Sequence, residues 1–328
     1  MCTALSWTAA SHYFGRNLDL ERVYAETVTI TPRHYPFRFG CGVTAQDHAA
    51  MIGVATVMDG VPLYYDAVNE HGLGMAGLNF VGNAHYFAPR PDKDNLAPYE
   101  LIPWLLGRCQ TVEQAVQMLG RVNLWERPFR PDLPCAGLHF MLADRRDCLV
   151  VESMKDGLHL HKNPTGVLTN NPPFDFQLLH LSLYLNVTAD QASNRFSDAL
   201  ALEPFSRGMG GLGLPGDASS TSRFVRAAFA RANAVKPRDE MASVSQFFHM
   251  LGAVEQVEGC VAVGEHWERT QYSSCCDTER GIYYYKTYDN AQITAVSMKN
   301  ESLDGERLIS YPLWNEGAVR YMNETKKL

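Results

Sequence analysis

The opening run Met1-Cys-Thr-Ala-Leu-Ser-Trp-Thr-Ala-Ala-Ser-His-Tyr-Phe-Gly-Arg-Asn-Leu-Asp-Leu20 decides how this chain reads. A short apolar stretch, a polar turn around Ala10 to His12 and the run Tyr13-Phe-Gly-Arg-Asn-Leu-Asp19 predict two strands joined by a tight turn. In such a hairpin the return strand lies beside the N-terminus. Cys2 follows the initiator methionine, which is normally removed when the next residue is small. Cys2 then carries both a thiol, with a reference pKa of about 8.5, and an α-amine at about 7.7–8.0. A thiolate is a strong nucleophile and a neutral α-amine is a base within the same residue, so no histidine partner is needed.

The hairpin brings Arg16 towards Cys2, where an always-charged guanidinium stabilises a thiolate or an anionic substrate group. Asp19 is the expected acceptor for the α-amine. Side chains three apart on a regular strand face opposite ways. Arg16 and Asp19 therefore share a site only where the backbone bends or bulges near Leu18. Without Cys2, a surface ion pair on a hairpin accounts for both.

Met-Cys-Thr at the start, Phe14-Gly-Arg-Asn-Leu-Asp19, Gly72-Leu-Gly-Met-Ala-Gly-Leu-Asn79, Leu168-Thr-Asn-Asn-Pro172, and Gly210-Gly-Leu-Gly-Leu-Pro-Gly-Asp217 followed by Ser222-Arg-Phe-Val-Arg226 carry a resemblance. In this order, over nearly the whole chain, they resemble the choloylglycine hydrolase family, which holds bile salt hydrolases and penicillin V acylases. The family is of the N-terminal nucleophile hydrolase type. The resemblance implies a four-layer αββα sandwich and hydrolysis of an amide bond in a non-peptide substrate. It also suggests a homotetramer.

Composition agrees with an ordinary soluble globular protein. Of the 328 residues, 46% are hydrophobic and 20% charged, and no linker, charge block or low-complexity run divides them, so 1–328 reads as one domain. A net charge of −7 gives no electrostatic reason to bind nucleic acid or an anionic membrane. No apolar run is long enough to span a bilayer and no secretory signal opens the chain, which predicts a cytoplasmic protein. The eight cysteines include no C-x-x-C pair and no zinc-ligand spacing. Apart from Cys2 they read as free thiols of a reducing compartment. The eleven histidines form no metal motif, and the 208–216 glycine run lacks the Lys and Ser/Thr of a phosphate cradle. No metal or other cofactor is expected.

Strand-like runs cover 27–31, 51–57, 61–68, 73–80, 137–143, 148–153, 281–288, 293–298 and 308–312. Helical spacing covers 99–106, 112–122, 174–184, 222–235 and 241–254, with Thr111 as an expected N-cap. Strands, then helices, then strands predict an α+β fold, with two mainly antiparallel sheets facing each other and helices outside.

Amide hydrolysis needs hydrogen-bond donors set in advance for the oxyanion of the tetrahedral intermediate. The resemblance assigns this task to Asn79 and Asn170. Read alone, an asparagine before Asn-Pro is a turn former. It also assigns Arg223 to the catalytic group. An arginine in the first turn of a helix is poorly placed for the dipole, so a compensating carboxylate or a role at the site is expected there; Arg226 is expected at the surface.

An aromatic residue is expected at position 79 in some penicillin V acylases, so asparagine there resembles the bile salt branch. Glycine- and taurine-conjugated bile salts are the expected substrates, with penicillin V the alternative. A steroid needs an open apolar pocket, and Tyr24, Phe129, Leu133 and Phe205, in loops, are candidates to line it. Arg207, in Pro204-Phe-Ser-Arg-Gly208, is a candidate for the anion of the departing glycine or taurine. The thioester can also pass its acyl group to another amine. A binding or redox protein with an incidental Cys2 is the reading from a different class.

Overall fold

The opening hairpin forms as its sequence predicts. In a computed structural model describing residues 1–323, β1 (Cys2–Thr8) pairs antiparallel with β2 (His12–Leu20), placing Cys2 opposite Leu18 and Ala4 opposite Arg16. The chain continues through β3 (Thr27–Thr31), β4 (Met51–Met58), β5 (Val61–Asn69) and β6 (Gly74–Asn79), then helices α1 (Leu101–Leu106) and α2 (Val112–Leu119). Next come β7 (Leu138–Ala143), β8 (Cys148–Met154), β9 (Gly157–Lys162) and β10 (Val167–Leu168). Three helices follow, α3 (Phe174–His180), α4 (Ser220–Asn233) and α5 (Glu240–Gly252). The last strands are β11 (Arg269–Asp277), β12 (Ile282–Thr287), β13 (Thr294–Ser297) and β14 (Ile309–Pro312).

These strands make a six-stranded sheet, β10-β1-β2-β11-β12-β13, and an eight-stranded sheet, β9-β8-β7-β6-β5-β4-β3-β14. All their neighbouring pairs are antiparallel. The sheets face each other through Phe14, Leu18, Ile30, Val54, Ala76 and Met141. Contact is close: a side chain at Gly74 would put its Cβ 2.7 Å from the Phe14 ring. Helices α4 and α5 add Phe224, Val244, Phe247 and Leu251 to the same core. On the far face of the eight-stranded sheet, Leu101, Leu105 and Ala115 of α1 and α2 pack with Met75, Phe140 and Leu142. The result is a four-layer αββα sandwich. Each large side chain so buried contributes about 1.5–3 kcal/mol relative to exposure.

Local chemistry sets the helix ends. The Thr111, Ser219 and Asp239 side chains accept the backbone N–H of Gln114, Ser222 and Ala242, satisfying donors that a helix start leaves open. Helix α2 stops three residues before the expected 122, because Val122 begins a short strand, Val122–Leu124, paired with Asp94–Leu96. Strand β11 was not among the expected runs. Its buried positions include Thr270, Gln271, Ser273, Ser274 and Asp277, so it lacks the apolar alternation by which a strand is read.

Two β-bulges flank the N-terminus. In β11, Gln271 is the extra residue between Thr270, opposite Asp19, and Tyr272, opposite Leu18. In β5, Tyr65 is extra between Tyr64 and Asp66. Bulges re-aim side chains and free backbone groups from the ladder, and here both changes point at one place.

Candidate active site

The sequence required a distortion near Leu18 if Arg16 and Asp19 were to serve one site. β2 itself keeps an unbroken register with β1, and the irregularity lies instead on the facing strand, at Gln271. Arg16 points between the two sheets, fully buried. Its Nη1 donates to the carbonyl of bulged Tyr65 at 2.8 Å and to that of Gly77 at 2.6 Å. Its Nη2 is buried and has no hydrogen-bond partner among the described residues. Burial opposes the charge of Arg16, but the nearby Cys2, Tyr272, Asp66 and Asp19 hold its pKa above the ordinary value.

Asp66 lies behind Arg16. Its two carboxylate oxygens accept the hydroxyls of Tyr272 and Tyr283, each at 2.6 Å. Burial raises the Asp66 pKa, and Arg16 is the strongest opposing influence. Sequence reasoning missed this group. The only signal was one carboxylate inside the otherwise strand-like run 61–68.

Asp19 is buried too, and burial pushes its pKa up against the pull of Arg223 and then of the terminal ammonium. Its Oδ1 accepts the Thr270 hydroxyl at 2.6 Å, while Oδ2 has no partner among the described residues. Met1 continues the strand: its amine donates to the Asp19 carbonyl at 2.7 Å and its carbonyl accepts the Asp19 N–H at 2.9 Å. The same amine contacts the carboxylate of Glu268. Burial lowers the pKa of that amine, with the charge of Cys2 the strongest opposing influence.

Asn170 holds the arrangement together. Its Oδ1 accepts the Cys2 backbone N–H at 2.9 Å and Arg223 Nη2 at 2.6 Å, while its Nδ2 donates to the Asn79 carbonyl at 2.8 Å. Its own backbone is fixed by the Ser220 hydroxyl at 2.8 Å and Gln177 Nε2 at 2.6 Å. With Met1 in place, the Cys2 nitrogen therefore bonds Asn170, where the sequence pointed to Asp19. The Asn79 side chain stands exposed at the end of β6. Neighbouring Asn171 turns away to the Val81 carbonyl.

Arg223 is fully buried in the first turn of α4, with no carboxylate among its hydrogen-bond partners in the described residues, and it bonds the strand that carries Cys2. Its Nη1 donates to the Cys2 carbonyl at 2.6 Å and the Thr3 hydroxyl at 2.8 Å, and its Nε to the Ala218 carbonyl at 3.0 Å. Burial lowers its pKa, and Asp19 is the strongest charge holding it up. Arg226 is half-buried and bonds the carbonyls of Ala253, Pro215 and Asp217.

The expected lining residues are on loops, and no bond ties them to this cluster directly. Tyr24 is exposed, with its carbonyl on the Thr56 hydroxyl, which in turn meets Tyr65. Phe129 is half-buried edge-on to Tyr99, ring centres 5.4 Å apart. Leu133 is half-buried in the loop leading to Leu138, which pairs with Asn79. Phe205 and Arg207 are exposed, and no side-chain bond of Arg207 reaches the cluster. Among the described residues, no group of three or more His, Cys, Asp or Glu is placed to hold a metal ion, and no helix is long and apolar enough to cross a membrane.

The family model described as "Linear amide C-N hydrolases, choloylglycine hydrolase family" matches residues 2–311. The chain is 49% identical over 324 residues to a bile salt hydrolase/transferase of Lactiplantibacillus plantarum, covering 98% of this chain and 100% of that one. A crystal structure of a conjugated bile acid hydrolase variant from Clostridium perfringens superposes with a TM-score of 0.91 at 33% identity, covering 98% of this chain and all of the other. A penicillin V acylase from Agrobacterium tumefaciens shares the fold, with a TM-score of 0.74 at 19% identity, over 94% of this chain and 90% of that one. By the extent of these matches, the chain belongs to the choloylglycine hydrolase family of linear amide C–N hydrolases.

Proposed function

We propose that this protein hydrolyses the amide bond of glycine- and taurine-conjugated bile acids, with Cys2 as nucleophile once Met1 is removed. The observation that carries the reading is the bonding at Asn170. It ties the Cys2 nitrogen, Arg223 and the Asn79 backbone into one rigid unit at the start of β1. The relatives at 49% and 33% identity, named for bile salts, support the substrate class.

Removal of Met1 turns the Cys2 amide into an amine beside Asn170 Oδ1. The thiol adds to the substrate carbonyl carbon and its proton passes to this amine. A free N–H of Asn170, with Asn79, donates to the oxyanion. The C–N bond breaks as the ammonium returns its proton to departing glycine or taurine, leaving a thioester on Cys2. The α-amine takes a proton from water, the hydroxide adds, and bile acid leaves as the thiol re-forms. A second amine in place of water gives acyl transfer. Arg16, with Nη2 unpartnered, stabilises the thiolate.

The protein works as one domain, in the cytoplasm, as a homotetramer. The eight free cysteines support a reducing compartment. Exposed Leu179, Leu183, Leu185, Phe196, Phe205 and Leu212 are the apolar side chains available for assembly. Tyr24, Phe129 and Leu133 line the steroid site, and Arg207 faces the amino-acid anion. The test is one panel of tauro- and glyco-conjugated bile salts and penicillin V with purified enzyme, beside mass spectrometry of the N-terminus. Turnover of penicillin V alone, or full activity with Met1 retained, sinks the reading.

A further inference from the structure

We infer that His139 is a positioning residue for both asparagines, acting through a buried pair with Glu152. The two sit opposite each other on β7 and β8, and neither side chain is exposed. Nδ1 of His139 lies 3.0 Å from Glu152 Oε1, and Nε2 lies 2.9 Å from the carbonyl of Thr169, the residue before Asn170. The other face of the imidazole stacks on Phe80, the residue after Asn79, with centres 4.3 Å apart and planes 5° from parallel.

These contacts close a ring. His139 holds Thr169, Asn170 bonds the Asn79 carbonyl, and Phe80 returns to His139. One side chain thus fixes the two strand ends that carry the proposed oxyanion donors. Glu152 extends the hold, accepting the Phe174 N–H at 3.1 and 3.3 Å where α3 begins after the Asn170 turn. His161 Nε2 stands 3.5 Å from its other oxygen.

The chemistry of the pair argues against simple core filling. A carbonyl accepts only from a protonated Nε2, and a further proton lies between Nδ1 and the carboxylate, whichever atom holds it. Buried polar pairs of this kind add little to stability over apolar residues of equal volume. What they give is direction: an imidazole with two bonded nitrogens and one stacked face cannot rotate. Displacing a reacting group by about 1 Å costs on the order of 10²-fold in rate.

The inference rests on Asn79 and Asn170 serving the oxyanion, so the test includes Asn170→Ala as a control. His139→Gln keeps a donor for the Thr169 carbonyl, whereas His139→Leu with Glu152→Met removes the pair and leaves no orphaned charge. Each is assayed for kcat and KM on an amide substrate of the wild type, and for alkylation of Cys2 by iodoacetamide. The double variant is expected to lose about 10²-fold in kcat with KM and alkylation rate within about threefold. His139→Gln is expected within about fivefold of the wild type. If the double variant keeps kcat, or loses turnover and alkylation together, the pair is only packing and the inference is wrong. Should it not fold, Glu152→Gln replaces it: about tenfold lower kcat at unchanged alkylation supports the inference, and unchanged kcat overturns it. Full turnover by Asn170→Ala would instead overturn the reading of the site.

Discussion

The cluster at the start of β1 and the loops around it are built on opposite plans. Cys2, Arg16, Asp19, Asn170 and Arg223 are buried, on strands, a strand end and a helix. Arg16, Asn170 and Arg223 each make several bonds, most to backbone. Tyr24, Phe129, Leu133 and Arg207 are exposed or half-exposed on loops, anchored mostly by contacts within or beside those loops. The proposed catalytic groups are thus fixed by the sheets, while the proposed substrate-choosing groups sit where they can vary without disturbing them.

The sharpest way to break this contrast is at Cys2. Cys2→Ala is expected to lower hydrolysis of taurocholate by more than about 10⁴-fold, with a melting temperature close to that of the wild type; residual turnover near the wild-type rate removes the nucleophile from the proposal. Asn170→Ala should cost about 10²–10³-fold in kcat. It should also cost about 1–3 kcal/mol of stability, because Arg223 Nη2 loses its acceptor in the interior; chemical denaturation reads the second quantity.

A third test concerns pH at the far end of the same hairpin. His12 is buried between the hydroxyls of Ser6 and Thr278, each at 3.0 Å. Burial lowers its pKa to about 4 from 6.5, and Asp144 opposes this only weakly. Between these values the unfolded chain binds more protons than the folded one, so stability rises with pH across this window. It should be fully present above pH 6.5 and fall by up to about 3 kcal/mol by pH 4. Denaturation curves at pH 7 and 4.5 for the wild type and His12→Gln check this; equal pH dependence in both assigns the effect elsewhere.

The rim should respond more mildly. Leu133→Ala is expected to raise KM for bile salts several-fold at nearly constant kcat, the loss of one partly buried apolar side chain. Arg207→Thr is expected to change the ratio of rates on tauro- and glyco-conjugates by at most about fivefold, since an exposed ion pair contributes about 0.2–1 kcal/mol. Equal loss on both conjugates, or none, takes Arg207 out of the site.

Much of this was readable from residue order. The runs at 27–31, 51–57, 61–68 and 137–143 became β3, β4, β5 and β7 within a residue or two, because their buried faces are apolar and periodic. Strand β11 was hidden because it supports polar groups: Thr270 serves Asp19, and Tyr272 serves Asp66. The six proposed catalytic positions were likewise visible, but their bonding was not. That Asn170 takes the Cys2 nitrogen, that a bulge turns the Tyr65 carbonyl onto Arg16, and that His139 links two distant asparagines depend on long-range register. No local pattern encodes such register.

One ladder pair also sets a clock. Met1 is stitched to Asp19 through both backbone groups, with its amine against Glu268, one residue before β11. If Met1 is removed as proposed, removal after folding would have to break both backbone bonds to Asp19, whereas removal from the nascent chain would not. A ribosome adding roughly 5–20 residues per second reaches Arg269 after roughly 15–50 s. On that proposal, chains trimmed within the interval would become catalysts, and chains that fold with Met1 in place would stay inert.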